Sequence, residues 1–294
     1  MKRNILCVIC LSLLLVLTGC GQQNSENTVT VEEEIKEEGS STTTLEDMTI
    51  NETIENSEDG GHAILADGES ASYSNIAVNK TGDSSGDEAD FYGENAAVFA
   101  TNGAELTLSN IYVKSDGTHA NGVFSYGEGT VVNISDSIIE TSGNCSGGIM
   151  TTGGGTMNAS NLNIHTTGNS SAAIRSDRGG GTVNVEGGSY ITDGVGSPVV
   201  YSTAEITVSD AYMESTSSQG IVVEGENSVT LNDVELVANN VSKNSDKSSF
   251  YQIDVNIILD FTYTQNGSNC SINTFKKQFT VLTDACMQFL YSLK

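Results

Sequence analysis

The chain has 294 residues, of which 12 are basic and 38 acidic, and its formal net charge at pH 7 is −26. So acidic a surface repels nucleic acid and anionic lipid head groups, and it excludes recognition of either through a basic face. Trp is absent and aromatic residues make up 6% of the chain, whereas Gly occurs 31 times. This composition favours a repeat fold, because each coil of such a fold buries only a few residues against its neighbours.

The first 19 residues have the pattern of a targeting segment. Lys2 and Arg3 give a positive start, residues 5–17 are mostly apolar, and Leu17-Thr18-Gly19-Cys20 follows. The last four residues resemble the lipobox of bacterial lipoproteins, in which the Cys receives a diacylglycerol thioether and becomes the mature N-terminus. The resemblance implies export and stable membrane anchoring through lipid on Cys20. The apolar run is shorter than the ~20 residues of a spanning helix, so anchoring through lipid rather than a membrane span is expected. The alternative is an ordinary signal peptide with a chance Cys.

Residues 20–61 are predicted to form an acidic tether. Between residues 21 and 60, twelve Asp and Glu side chains stand against the single basic residue Lys36. Like charges at this density keep a chain extended, so the segment would hold the folded part away from the membrane. Two short stretches, residues 28–31 and 48–50, alternate in polarity and are candidates for strands of an N-terminal cap.

Residues 62–240 contain a repeated unit. In each copy, apolar residues alternate with Ser, Thr and Asn, which is typical of a strand with one buried face. The stretch then breaks at Ser-Asn or Ser-Asp, because Asn and Asp tolerate the left-handed backbone of a sharp bend. Equivalent apolar positions are Leu108, Ile134, Ala159, Val185, Val208 and Leu231, with spacings of 26, 25, 26, 23 and 23 residues.

This period predicts an all-β fold, a right-handed single-stranded parallel β-helix (solenoid) of about seven coils of 22–26 residues, with an irregular C-terminal tail. A propeller blade would need ~40 residues, and a leucine-rich repeat would need Leu at the positions that hold Val, Ile and Ala. The blocks at residues 173–183 and 194–204 resemble a group of secreted bacterial surface proteins within the pectin-lyase-like superfamily. That resemblance covers residues 62–240 and implies fold and surface location. It implies little about activity, because the superfamily contains lyases, hydrolases, adhesins and structural proteins.

Arg175, Asp177 and Arg178 are the candidates for a catalytic site. Lyases of acidic polysaccharides in this superfamily use a Lys or Arg base beside carboxylates that hold Ca²⁺, and the only other basic residues in the repeat region are Lys80 and Lys114. The structural alternative is an Arg175–Asp177 ion pair, with Arg178 capping a turn. The paired Asp residues and Gly-His-Gly motif of pectin hydrolases are missing, as are GxSxG, P-loop and HExxH motifs.

Residues 83–90 place four carboxylates in one loop, which also lengthens the second repeat. Asp83, Asp87, Glu88 and Asp90 are candidates for a weak Ca²⁺ site, because this ion favours flexible loops rich in oxygen ligands. The spacing matches neither an EF-hand nor a nonapeptide Ca²⁺ repeat. A solvated insertion is therefore the alternative, and no cofactor other than weakly bound Ca²⁺ is predicted.

The Cys and His residues predict no zinc site. Cys7 and Cys10 would leave with the signal peptide, so that Cys145, Cys270 and Cys286 remain besides the lipid site. No CxxC pair and no cluster of His with Cys is visible in the sequence. Of the His residues, His119 and His165 fall in polar turns of different coils and are predicted to face solvent. Cys145 is predicted in a turn or in the core.

Residues 241–294 depart from the repeat. They contain one of the 31 Gly residues, Gly267, but five of the eight Phe residues. One interpretation is a cap over the end of the β-helix, with strands between residues 250 and 264 and a helix between residues 279 and 293. The other is a frame-shifted, poorly folded tail. The chain is expected to be a monomer, although an uncovered end would expose unpaired strand edges and favour association.

These features predict a lipid-anchored, non-catalytic module of the cell surface that serves adhesion or glycan binding, with a surface glycan or protein as ligand. The alternatives are a polysaccharide lyase or glycoside hydrolase of the pectin-lyase-like superfamily, and a structural spacer. Five Tyr residues recur at coil positions; facing outward they would stack on sugar rings, and facing inward they would belong to the core. They are Tyr112, Tyr126, Tyr190, Tyr201 and Tyr212.

Overall fold

The computed structural model describes residues 43–224 and 227–239, together with four short strands between residues 250 and 272. In this part of the chain the helical segments are a 3₁₀ turn at Leu45–Asp47 and the short helix α1 at Asp87–Phe91. No helix of the described residues has the length and apolar character needed to cross a membrane. All the remaining regular structure of the described residues is β-strand.

The strands follow one another at short intervals along the chain. In order they are β1 (Glu52–Asn56), β2 (Ile64–Asp67), β3 (Ala71–Ser74), β4 (Ile76–Lys80), β5 (Val98–Thr101), β6 (Glu105–Ser109), β7 (Tyr112–Ser115), β8 (Val123–Tyr126), β9 (Val131–Ser135), β10 (Ile138–Thr141), β11 (Ile149–Thr152), β12 (Gly155–Thr166), β13 (Ile174–Ser176), β14 (Gly181–Thr192), β15 (Val200–Ser202), β16 (Glu205–Ser209), β17 (Tyr212–Ser215), β18 (Ile221–Glu224), β19 (Ser228–Asn232), β20 (Glu235–Ala238), β21 (Phe250–Ile253), β22 (Ile257–Ile258), β23 (Tyr263–Asn266) and β24 (Asn269–Ile272).

The strands form two sheets that wind into a parallel β-helix. The short sheet has eight strands, in the order β2-β5-β8-β11-β13-β15-β18-β21, and the long sheet has sixteen. From β2 to β20 the chain makes seven coils. Each coil adds one strand to the short sheet and a bent pair of strand segments to the long sheet, all in parallel register with the coils on either side. The predicted all-β solenoid of about seven coils is thereby confirmed.

The core consists of inward-facing rows of medium-sized apolar residues. Within β6 the burial alternates strictly, so that Leu106 and Leu108 are buried and Thr107 is exposed. Burial of one such side chain stabilises the fold by about 1.5–3 kcal/mol relative to exposure. Because every coil repeats the alternation in register, the same face of each strand is buried. One inward row contains Leu106, Val132, Met157, Val183, Ile206 and Val229.

The bend within the long sheet lies where the sequence predicts it. Asn110, Asp136, Asn161 and Asp210 have left-handed backbone with φ between 50° and 53°. Two of these side chains are hydrogen-bonded between coils, with Asn161 Nδ2 donating to Asp136 Oδ1 at 2.8 Å. In the fifth coil Gly187, with φ of 67°, takes the bend position.

A ladder of Ser hydroxyl groups stabilises the turn before the short sheet, and the sequence prediction missed it. Here the coils repeat Gly-x-x-Ser, and the Ser hydroxyl groups are buried. Ser171 Oγ accepts a hydrogen bond from Ser146 N at 3.0 Å and donates to Gly143 O at 3.1 Å. One coil further, Ser197 Oγ accepts from Ser171 N at 2.9 Å and donates to Gly168 O at 2.8 Å. Buried hydroxyl groups are therefore satisfied by backbone of adjacent coils.

The β-helix begins inside the range predicted as tether. Strand β1, Glu52–Asn56, pairs in parallel with β4, ten residues before His62. Ile54 packs against the core whereas Glu52 and Glu55 stay exposed, so the carboxylates do not oppose strand formation. Residues 48–50 precede this strand and form no strand, and residues 28–31 lie outside the described residues.

Four strands from the atypical tail pair with the last coil or with each other. Strands β21, β22 and β23 run antiparallel to β18, β20 and β19, and β24 is antiparallel to β23. The cap interpretation predicts strands within residues 250–264. The helix predicted at residues 279–293 lies outside the described residues, so the choice between a cap and a frame-shifted tail stays a prediction.

Candidate functional site

The two candidate catalytic Arg residues point to different partners. Arg175 lies on β13, and its Nη2 is 3.1 Å from Asp177 Oδ2, with both side chains at most 15% exposed. Arg178 Nη1 is instead 2.8 Å from Asp87 Oδ2, and its guanidinium lies 3.8 Å from the centroid of the Phe91 ring. The expected Arg175–Asp177 ion pair is thus present, but the Arg178 side chain packs on α1 rather than capping a turn. The two guanidinium groups therefore pair with different carboxylates.

We expect Asp177→Asn to destabilise the protein by about 1–3 kcal/mol, because it leaves the guanidinium of Arg175 largely buried without its counter-charge. Urea unfolding followed by circular dichroism measures the effect. The matched control is Asp193→Asn, which removes the carboxylate that pairs with His165. Both side chains of that pair are more than 40% exposed, so the expected loss of stability is below ~1 kcal/mol. Equal costs for the two variants would contradict a structural role for the Arg175–Asp177 pair.

The acidic insertion, residues 83–92, packs on the outer face of the short sheet. Thr152 Oγ1 donates to Phe91 O at 2.6 Å, and the Tyr92 and Tyr126 rings meet edge to face at 5.8 Å between centroids. Phe124 and Met150, which face outward from the short sheet, are fully buried in an adjoining apolar cluster. Most of residues 83–90 are exposed, in line with the solvated insertion expected from the sequence, whereas Phe91 and Tyr92 after them pack on the coils.

The four carboxylates of this insertion take separate roles. Asp83 Oδ1 accepts from Thr118 N at 2.6 Å, Asp87 pairs with Arg178, and Asp90 lies 2.8 Å from His119. Glu88 is exposed. The weak Ca²⁺ site at Asp83, Asp87, Glu88 and Asp90 stays a prediction, and three of its four candidates already have protein partners.

The sequence prediction for His119 was wrong. Its side chain is only 13% exposed, because the insertion covers the turn in which it lies. His165 is 44% exposed and pairs with Asp193 at 2.7 Å, in line with the prediction that it faces solvent.

The five Tyr residues do not share one orientation. Tyr190 is fully buried and faces inward, whereas Tyr112 and Tyr212 lie on the outer face of the long sheet. Each outer Tyr donates to a neighbouring carboxylate, Tyr112 Oη to Glu140 at 2.6 Å and Tyr212 Oη to Glu214 at 2.7 Å. Partial burial and then the neighbouring carboxylate raise the pKa of both phenols. Tyr126 belongs to the aromatic packing under the insertion.

A groove of about 420 Å³, here called the amide groove, crosses the outer face of the long sheet over five coils. Its central row consists of uncharged polar side chains held in strict register by the parallel pairing. Asn158 Nδ2 donates to Asn133 Oδ1 at 2.9 Å, and Asn184 Nδ2 donates to Asn158 Oδ1 at 2.9 Å. The row contains Thr107, Asn133, Asn158, Asn184 and Thr207.

A second row of the amide groove carries Ser135, Ser160, Glu186 and Ser209. Glu186 is the one titratable residue among the described residues that line the groove. Loss of water and the neighbouring Asp210 raise the pKa of its carboxyl group. By contrast, a second cavity of about 510 Å³ near the first coils is lined by several charged residues. They include Glu55, Lys80, Lys114 and Asp116.

The amide row was not predicted from the sequence, although a signal existed. The three Asn residues stand at the same offset in consecutive strands, one residue after Val132, Met157 and Val183. Asn158, at the centre of the row, uses one N–H and one oxygen lone pair on its neighbours, which leaves a second donor and a second lone pair for a ligand. A scan against protein-family models finds no match to the chain, and searches of curated proteins and of solved structures find no match either.

Proposed function

We propose that this chain is an exported surface module, lipid-anchored through Cys20, that binds a neutral glycan in the amide groove without cleaving it. The single observation that carries the proposal is the in-register row of Asn133, Asn158 and Asn184 on the outer face of the long sheet. The lipobox and the resemblance to pectin-lyase-like surface proteins supply the location.

The geometry of the row suits a repeating polymer. Neighbouring strands of a sheet lie about 4.8 Å apart, so a ligand laid along the helix axis meets an equivalent side chain at each such step. Carboxamides and hydroxyl groups both donate and accept hydrogen bonds, as sugar hydroxyl groups do. A linear polysaccharide offers a periodic set of such groups, and the groove can match several of them at once.

The charge distribution favours a neutral ligand. The chain carries a net charge of −26, which repels anionic polymers, yet the amide groove contains only Glu186 as a charged lining residue of the described structure. A neutral polysaccharide avoids the repulsion that an acidic one would meet. Since no aromatic residue is among those that line the groove, binding would rely on hydrogen bonds rather than ring stacking.

The lyase alternative would need a free basic group beside carboxylates. Arg175 is instead paired with Asp177, and Arg178 is paired with Asp87. These contacts favour structural roles for both guanidinium groups. The alternative keeps a direct test, since a lyase or hydrolase would degrade polygalacturonate or a similar polymer and would lose that activity in Arg175→Ala.

The test is binding of the purified mature chain to an array of neutral and acidic polysaccharides, followed by calorimetry with the best ligand. We expect Asn158→Ala to weaken binding about tenfold, because it removes one or two hydrogen bonds worth ~1 kcal/mol each at the centre of the groove. The matched control is Asn79→Ala, another outward carboxamide of the long sheet outside the groove, which should leave affinity unchanged. Thermal unfolding of both variants checks that the fold is intact.

Three results would contradict the proposal. A blank array would favour a structural spacer, and equal losses in Asn158→Ala and Asn79→Ala would place the ligand elsewhere. Depolymerisation that depends on Arg175 would favour the lyase alternative.

A further inference from the structure

Three residues with metal-ligating side chains meet in the turn before the short sheet. His119 and Cys145 occupy the same position of consecutive coils, four residues before Val123 and Ile149. Both have left-handed backbone, with φ of 55° and 57°, so both side chains leave the turn in the same way. Asp90 reaches them from α1 of the insertion. We call Asp90, His119 and Cys145 the turn cluster.

The ligand atoms of the turn cluster lie close to one another. Asp90 Oδ1 lies 2.8 Å from His119 Nδ1, and one ligand atom from each of the three residues lies within 4.8 Å of the others. Zn–S and Zn–N bonds of about 2.3 and 2.0 Å separate tetrahedral ligand atoms by roughly 3.3–3.5 Å. Zinc binding would therefore move the Asp90 and His119 ligand atoms apart by about 0.5 Å and place the Cys145 sulfur about 3.5 Å from each, within reach of side-chain rotation.

The surroundings of the His119 imidazole favour a cation shared with Asp90. Although His119 Nδ1 is buried and close to the carboxylate, it makes no aligned hydrogen bond with any described residue. Buried ring nitrogens are normally hydrogen-bonded, because an unpaired one costs about 1–3 kcal/mol. A cation bound by both His119 Nδ1 and Asp90 Oδ1 would give this buried nitrogen a partner.

We propose that Asp90, His119 and Cys145 bind one Zn²⁺ ion, with the fourth position open to water. Mixed thiolate, imidazole and carboxylate ligands suit this ion, and three protein ligands are the usual number where a coordination position stays open. Asp90 keeps 28% of its side chain exposed, which provides an entry path for the ion. The proposal is independent of glycan binding, because the turn cluster and the amide groove are built from different strands and turns.

The ion would join the insertion to two consecutive coils. Asp90 belongs to α1, whereas His119 and Cys145 belong to the coils beneath it, so one ion would connect segments that are otherwise held by packing and ion pairs. A ligand that binds only the folded state raises the unfolding temperature. At Zn²⁺ a hundredfold above its Kd, this effect corresponds to a rise of roughly 5–10 °C for a domain of this size.

The test is titration of the purified, reduced mature chain with Co²⁺ and with Zn²⁺. We expect saturable binding of one ion, a Co²⁺ absorption band from thiolate coordination, and a higher unfolding temperature with Zn²⁺. Cys145→Ser should abolish the band, and Asp90→Asn should weaken Zn²⁺ binding about 10–100-fold. His165→Ala, which removes another His–Asp pair, is the control that should keep all three signals.

Two outcomes would overturn the proposal. One is the absence of saturable Zn²⁺ binding, and the other is a Co²⁺ band that survives in Cys145→Ser, which would assign it to the other Cys residues of the chain. Metal-free melting curves of the variants show whether they fold. If Cys145→Ser does not fold, Asp90→Asn decides the question, because unchanged Zn²⁺ affinity in that variant also contradicts the site.

Discussion

Gly168→Ala is expected to destabilise the β-helix by about 3 kcal/mol, because the added methyl group would collide with the backbone of the preceding coil. A Cβ atom at residue 168 would meet Gly143 O and C well inside 3.0 Å, a separation that real Cβ atoms essentially never show. The obstacle is backbone rather than a movable side chain. The collision can be relieved only if two coils move apart.

The position of Gly168 explains why such movement is costly. The backbone carbonyl of Gly168 accepts the Ser197 hydroxyl, and the carbonyl of Gly143 accepts the Ser171 hydroxyl, so the buried Ser ladder is anchored at both glycines. Separating the coils would stretch these hydrogen bonds and the strand pairing beside them. Each buried polar group left unpaired adds about 1–3 kcal/mol to the cost.

The matched control is Gly103→Ala. Gly103 has φ of 79° and open space around its Cα, so its substitution tests backbone strain without collision. A non-Gly residue in left-handed backbone costs about 1–2 kcal/mol. The midpoint of urea unfolding should therefore lie at a clearly lower urea concentration for Gly168→Ala than for Gly103→Ala. The reverse order would contradict the close approach of the coils at Gly168.

The parts of the fold that could be predicted are those set by local preference and period. Alternating apolar residues define each strand, and Asn110, Asp136 and Asn161 mark the bend because few other residues adopt left-handed backbone at low cost. Both signals repeat once per coil, so the number of coils follows from counting them. The acidic residues around Glu52 obscured the first strand, since a strand can carry carboxylates on its exposed face.

The features that escaped prediction depend on which residues become neighbours across coils. The Asn row of the amide groove and the pairing of His119 with Cys145 become visible only when coils are aligned from the same strand position. The placement of Asp90 beside His119 and of Asp87 beside Arg178 could not be derived even then, because the insertion is not part of the repeat. Its placement follows from aromatic packing of Phe91 and Tyr92 on the short sheet.

Tyr190→Ala is expected to cost about 3–5 kcal/mol, the range for removal of a buried aromatic side chain. In the long sheet Tyr190 aligns with Ile164 of one neighbouring coil and Met213 of the other, and its side chain is fully buried. Its larger ring stands in an inward row whose neighbouring members, Ile164 and Met213, are not aromatic. Its removal would leave a cavity that the rigid sheets cannot close.

Two further variants separate the contribution of the ring to stability from the contributions of its hydroxyl group and of its inward position. Tyr190→Phe should cost only about 1 kcal/mol, because it removes the hydrogen bond from Oη to Gly187 O at 3.1 Å and keeps the ring. Tyr212→Ala, on the outer face of the next coil, should cost less than Tyr190→Ala because that ring is only partly buried. Equal losses for Tyr190→Ala and Tyr212→Ala would contradict the inward orientation.

The pH dependence gives an independent check on the same residue. Burial raises the pKa of Tyr190, so in the folded state this phenol stays protonated where an exposed Tyr ionises, near pH 10. A folded-state pKa above the unfolded one contributes stability that is present below about pH 10 and is lost as the pH rises. The stability of the native protein relative to Tyr190→Phe should therefore fall above about pH 10. A constant difference across that range would mean that water reaches the phenol.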